Sequence, residues 1–229
     1  MPRESAARRK QRVAKIIAAL KKAYPDARCA LDHEGPLELL VATILSAQCS
    51  DKQVNLVTKS LFAKYRTAGD YAEADPAGFQ QDIHSIGLFR NKTKSILAAC
   101  RVIADDFGGD VPRTMDELLS LPGVARKTAN VVLGNAFGIR EGVVVDTHVF
   151  RLANRLKLTA WNKVGQAYKV ERDLMALVPK RQWTMFAHWL IFHGRRVCTA
   201  RKPDCEGCCI QKLCLSAFKA TGGGKKAGA

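Results

Sequence analysis

Three short stretches of the chain hold side chains of the right type and spacing for chemistry. The first is Leu121-Pro122-Gly123-Val124-Ala125-Arg126-Lys127-Thr128-Ala129. A short helix runs into Pro-Gly, turns, and starts another helix at once. Such a hairpin presents the open N–H groups and the positive dipole end of the second helix, which suit one phosphate of a nucleic-acid backbone. Gly123, Ala125 and Arg126 are the candidate phosphate contacts, and contacts of this kind position a protein without reading base sequence. Lys127 lies in the first turn of the second helix, where a cation is electrostatically misplaced, with Arg126 beside it. The neutral amine is the nucleophilic form. A solvated surface lysine is the ordinary alternative.

The second stretch is Val143-Val144-Val145-Asp146-Thr147-His148. An apolar run delivers a carboxylate to the start of a helix. Asp146 reads as an N-cap, or as a carboxylate that faces a reacting centre and assists Lys127. His148 reads as a structural or phosphate-facing histidine. The third stretch is Cys198-x6-Cys205-x2-Cys208-x5-Cys214. Four thiolates hold either an iron–sulfur cluster or a tetrahedral zinc, and the spacing alone leaves the metal open. Cys209 is a spectator in this register. Arg201 and Lys202 sit between the first two cysteines, where a closed loop would turn them toward phosphates.

The elements that must position these residues read as helices. Val13, Ile16, Ile17 and Leu20 repeat at helical spacing, and Leu37–Ala47 is a nearly all-apolar helix opened by Pro36. Asp51 begins the next, with Val54, Val57, Leu61, Phe62 and Tyr65 inward. Asp75-Pro76 is a cap followed by a first-turn proline. A helix from Asn91 to Phe107 stops at Gly108-Gly109, and Thr114 with Glu117 forms a capping box. Further helices are expected over 126–137, 147–157, 164–178 and 182–193, with Gly138 and Gly194 as stops. Val143–Val145 is too short and isolated for a sheet. The expected class is all-α.

Charge and composition narrow the partner. The chain has 229 residues, 47% of them apolar, with 37 Lys plus Arg against 21 Asp plus Glu, a net charge of +16. A polyanion is therefore the first partner to consider. Residues 1–22 contribute +7 and residues 180–229 contribute +8, leaving +1 for the long middle. No apolar run is long enough to span a bilayer, and the first residues lack the apolar stretch of a secretory signal. The Arg-rich Met1–Arg12 runs straight into a patterned helix instead of opening an organellar transit peptide. Eight cysteines, five of them within Cys198–Cys214, in a chain without an export signal point to metal over disulfides.

In this order and at these separations the three stretches resemble the endonuclease III family of helix-hairpin-helix DNA glycosylases. The matching pieces are LPGVARKTANVVL, VDTHVFRLANR, HWLIFHGR and the four-cysteine run, and the similarity covers residues 10–216. The resemblance implies two α-helical lobes with DNA in the groove between them and a C-terminal [4Fe-4S] cluster loop on Cys198, Cys205, Cys208 and Cys214. The implied divisions are a basic helix over 1–28 packing with the C-terminal lobe, a lobe over 29–140 containing the hairpin, a cluster-bearing lobe over 141–216, and a disordered basic tail over 217–229. It places a catalytic lysine on Lys127 and a catalytic aspartate on Asp146. The implied enzyme is a base-excision-repair DNA glycosylase and abasic-site lyase. It removes oxidised pyrimidines from duplex DNA and cleaves 3′ to the abasic site by β-elimination through a lysine Schiff base, as a monomer in the cytoplasm at the nucleoid. Gln48 and Leu88 would fill the gap left by the flipped nucleotide. A DNA-damage binding protein of the same fold without turnover is the alternative, and an adenine-removing glycosylase would lack the lysine. One departure stands out: the hairpin is usually Gly-x-Gly, and Ala125 replaces the second glycine. If that position needs positive φ, alanine costs about 1 kcal/mol or more.

Overall fold

Helical periodicity becomes helix throughout residues 4–163 and 165–219, which the computed structural model describes. The α-helices are α1 (Ala6–Ala23), α2 (Pro36–Leu45), α3 (Asp51–Lys64), α4 (Ala68–Ala72), α5 (Pro76–Asp82), α6 (Phe89–Asp106), α7 (Met115–Ser120), α8 (Arg126–Ala136), α9 (Thr147–Arg155), α10 (Ala167–Leu177) and α11 (Trp183–Arg196). There is no strand among the described residues; Val143–Val145 is a non-helical run leading into α9. The expected disordered tail lies, from residue 220 on, outside the described residues.

Two compact units emerge, one from the chain's two ends (Met1–Arg28 with Gly142–Ala229) and one from its middle (Cys29–Glu141). In the middle unit α2 is the central rod. Every residue from Leu39 to Leu45 is buried, because α3, α6 and α8 all pack on it. Withdrawing each of its leucines from water is worth about 1.5–3 kcal/mol, so this run is the main driving force for the unit. Tyr65, Tyr71 and Phe79 pack as an aromatic cluster that closes α4 and α5 over the end of the core.

Several expected boundaries move for local reasons. Helix α3, by contrast, begins at Asp51 as expected, capped by Ser50, whose hydroxyl accepts the Gln53 N–H at 3.3 Å. Asp75 caps α5 as expected, accepting the Gly78 N–H at 2.7 Å. Thr114 caps α7, but the Glu117 carboxylate takes the Thr114 hydroxyl proton at 2.6 Å, so the box is not the reciprocal backbone form. The full capping box is at Thr67 and Asp70, opening the short α4, which the sequence reading passed over. Helix α6 starts two residues earlier than expected, at Phe89.

In the unit of the two ends, α9 packs on α10 and α11, and α1 lies against α10 and α11. Val13, Ile16, Ile17 and Leu20 are the buried stripe of α1. Arg12 staples it in place. Its guanidinium donates to the Leu156 carbonyl at 2.9 Å and the Leu213 carbonyl at 3.2 Å, while Glu4 holds its other edge at 2.8 Å. That partner keeps the Glu4 carboxyl below the usual range. One N-terminal cation thus does structural work inside its own unit. Gly194 is not a helix stop: α11 runs through it to Arg196. A Cβ there would meet His148 Nδ1 at 3.0 Å and Arg151 Nη2 at 3.1 Å, so the glycine is what lets α11 approach α9.

Candidate functional site

The hairpin is built as its residues dictate. Helix α7 ends at Ser120 with Leu121 as its C-cap, Gly123 takes φ +78°, and the Val124 N–H closes the turn on the Leu121 carbonyl at 3.1 Å. Only glycine suits Gly123 twice over. Positive φ disfavours a side chain, and a Cβ would lie 2.5 Å from the Ser95 Cβ on α6. Gly123→Ala is expected to lower the unfolding free energy by about 3 kcal/mol, the combined scale of left-handed strain and overpacking. Urea denaturation checks this; an unchanged midpoint would mean that α6 gives way freely.

Ala125 is the N-cap of α8, with φ −99° and ψ 167°. That is extended backbone open to any residue, so the strain expected of a missing glycine does not arise; the hairpin's one left-handed position is Gly123. Alanine also offers no side-chain acceptor, and α8 has no side-chain cap. Helix geometry leaves its first-turn N–H groups without an i−4 carbonyl. Lys127, the second residue of α8, is exposed, and Arg126 donates to the Glu141 carbonyl at 3.3 Å.

Gln48 and Leu88 lie together on the same unit. Both are exposed, and both are non-glycine residues in the left-handed region, at φ +55° and +60°. A Cβ on Gly87 would stand 3.8 Å from the Gln48 carbonyl oxygen, so the two loops abut. Between them lies a residue the sequence reading missed. Lys92 is only 4% exposed, and its ammonium donates to the Leu45 carbonyl at 2.9 Å and the Ala47 carbonyl at 2.6 Å. The signal was available: Lys92 falls in register with Ile96, Ala99 and Ile103, the buried stripe of α6.

On the other unit Asp146 is the N-cap of α9. Its Oδ1 accepts the Val149 N–H at 2.8 Å, and the side chain is half-buried. His148 beside it is held below its usual pKa by burial and by Arg151 and Arg195, against the pull of Asp146. His188 on α11, a second missed residue, is pushed down to about 4 by burial, again opposed by Asp146. Two imidazoles thus stand in the field of this one carboxylate, both held toward the neutral form by burial.

The four cysteines of the expected register share one set of surroundings. Cys198, Cys205, Cys208 and Cys214 line one cavity with Leu152, Arg155 and His193, and Cys209 is not among its walls. Two donors reach the sulfurs, Arg155 at 3.2 Å from Cys198 Sγ and the Phe218 N–H at 3.4 Å from Cys205 Sγ, and His193 Nε2 lies 3.4 Å from Cys208 Sγ. No group of three or more His, Cys, Asp or Glu among the described residues is placed to hold a single metal ion. Arg201 and Lys202 are exposed on the loop, whose turn is held by the Thr199 hydroxyl donating to the Lys202 carbonyl at 2.7 Å.

Comparison with known proteins places these features in a class. Residues 41–180 match the model of the HhH-GPD superfamily of base excision DNA repair proteins. An endonuclease III from Synechocystis sp. is 54% identical over 211 residues, covering 92% of this chain and 95% of that protein. Two solved structures, a non-covalent endonuclease III–DNA complex and a trapped endonuclease III–DNA covalent intermediate, are each 46% identical. Each superposes with a TM-score of 0.86, over 92% of this chain and 97% of the other. The chain belongs to the endonuclease III family, base excision repair DNA glycosylases. No helix among the described residues is long and apolar enough to cross a membrane.

Proposed function

We propose that this chain removes oxidised pyrimidines from duplex DNA and cleaves the strand at the abasic site, with Lys127 as nucleophile. The observation that carries the reading is the exposed Lys127 amine, one residue into α8 and directly behind the Gly123 turn. The relative trapped as a covalent intermediate with DNA supports it, because a covalent intermediate requires a nucleophile on the protein. The damaged base must first leave the stack, at a cost of a few kcal/mol that falls when it stacks poorly. The neutral amine then attacks the sugar C1′, and the bond from C1′ to the base breaks as the base leaves with the electron pair. Ring opening gives an iminium. Loss of a 2′ proton then lets the C3′–O bond break, and the 3′ phosphate departs. Asp146 stabilises positive charge on the sugar and accepts the proton the amine sheds. The open N–H groups of α8, with Gly123, Ala125 and Arg126, grip one phosphate, and His148, Arg201 and Lys202 face others. Gln48 and Leu88 fill the vacated stack. The work is placed in the cytoplasm, at the nucleoid.

Cys198, Cys205, Cys208 and Cys214 would hold a [4Fe-4S] cluster. Four thiols lining one cavity, with N–H donors on two of the sulfurs, suit a polynuclear cluster held by thiolates. Bound there, the cluster supplies a rigid tie across the loop that carries Arg201 and Lys202. Serine at any of the four is expected to remove visible absorbance, while Cys209→Ser keeps it. Colourless protein with stoichiometric zinc after anaerobic purification would defeat this assignment.

Borohydride trapping on a duplex with an abasic site tests the central claim. A reduced covalent adduct is expected, and its absence with bound, folded protein favours a damage-binding protein without turnover.

A further inference from the structure

We propose that Lys92 is a positioning residue that fixes the spacing between Gln48 and Leu88, and so sets how well the protein discriminates a lesion from intact duplex. The inference rests on the stack-filling roles proposed above for those two residues.

Lys92 sits one turn into α6, and its own N–H bonds to the Leu88 carbonyl at 3.1 Å. Its backbone is therefore tied to the residue on one loop. Its side chain is tied to the other loop, through the Ala47 carbonyl immediately before Gln48 and the Leu45 carbonyl that ends α2. One residue thus links both loops, through its backbone N–H on one side and its ammonium on the other. A second, weaker strut runs outside, where Gln53 Nε2 donates to Ser85 Oγ at 3.0 Å.

The arrangement is costly, which argues for a purpose. Burial pushes the Lys92 amine below its usual pKa. A buried ammonium persists only with strong acceptors, and here the carbonyl end of a helix dipole supplies them. On either side of it, Gln48 and Leu88 hold left-handed backbone without being glycine, and Leu88 is 54% exposed. Strained residues persist only where their surroundings over-determine them. Lys92 bonds to the carbonyl just before Gln48 and to the carbonyl of Leu88 itself. A plain helix cap would require neither the exposed leucine nor two strained flanks. An inserting pair requires both loops to be rigid before DNA arrives, because ordering them on binding would subtract from affinity.

The test is the ratio of dissociation constants for an intact duplex and the same duplex carrying a tetrahydrofuran abasic analogue. It is read together with the fluorescence of 2-aminopurine opposite the analogue. Lys92→Met keeps the apolar stem and removes the donors. It is expected to lower the ratio about tenfold while leaving intact-duplex affinity within about twofold, since phosphate contacts are untouched. The 2-aminopurine signal is expected to shift toward that of free duplex. Combined with Gln48→Ala, the loss should fall well short of additive, as expected for groups acting as one unit. If Gln48→Ala and Leu88→Ala lower the ratio but folded Lys92→Met does not, the positioning role is overturned and the stack-filling reading stands. If neither alanine variant moves it, the stack-filling reading itself fails and the proposal with it. Should Lys92→Met not fold, Lys92→Gln retains a donor but is one bond shorter and cannot reach both carbonyls unmoved. A folded Lys92→Gln with the wild-type ratio overturns the proposal.

Discussion

Lys127→Ala is expected to abolish strand cleavage and borohydride trapping and to leave the protein folded and bound to DNA. The position makes this a clean experiment. Lys127 is exposed on the first turn of α8, so no packing is lost with it. Alanine is the better helix former, and removing a cation from a helix N-terminus is worth about 0.3–1 kcal/mol in the helix's favour. The variant should therefore melt no lower than the parent, and lost activity cannot be read as lost fold. Affinity for intact duplex should fall by no more than about threefold, because one cation carries a small share of a many-phosphate interface. Single-turnover cleavage, trapping and a salt titration of binding on the same preparation give the three readings. Trapping at the parent level in Lys127→Ala would move the nucleophile elsewhere, with the N-terminal amine as first suspect.

Much of this architecture was legible because it depends on local rules. The stripe of Val13, Ile16, Ile17 and Leu20 and the apolar run of α2 read directly as buried faces, and both are. Asp75-Pro76 and Gly138 read as cap and stop because capping chemistry is confined to a few residues. What stayed hidden depends on neighbours distant in sequence. Gly194 looks like a helix stop until α9 is seen pressed against it. Lys92 looks like a surface lysine until the carbonyls of Leu45 and Ala47 arrive from α2. His188 carries no local signal, and its burial is set by the unit around it. The hairpin shows the same division. Its turn was legible from Pro122-Gly123, but the conformation of Ala125 was not, since a motif names residues and not dihedrals. Helix α4 is the exception: Thr67-x-x-Asp70 was readable, and a five-residue helix with an internal glycine has too little periodicity to draw notice.

Asp146→Asn separates a carboxylate that acts from one that only caps. Asparagine caps as well as aspartate, and its amide oxygen can take the Val149 N–H in place of Oδ1, so stability should change by less than about 0.5 kcal/mol. What disappears is charge. Base excision is expected to fall about a hundredfold or more, the range for losing a positioned acid–base group. Cleavage at a preformed abasic site should suffer much less, because no bond to the base has to break there. The two nearby imidazoles provide an internal check on the electrostatics. Asp146 raises the pKa of both His148 and His188 against stronger desolvation, so its neutralisation should move both further down. His188 already titrates near 4 and His148 below its usual value. Neutralising Asp146 therefore moves both imidazoles away from the charged form, and the activity loss cannot come from charging a histidine. NMR titration of the imidazoles and the ratio of excision to abasic-site cleavage decide the matter together. A downward shift of both histidines with equal, small losses on both substrates would leave Asp146 as a helix cap whose field reaches no reacting centre. The same shift with a selective loss of excision requires that the carboxylate's charge act on the sugar as the base departs.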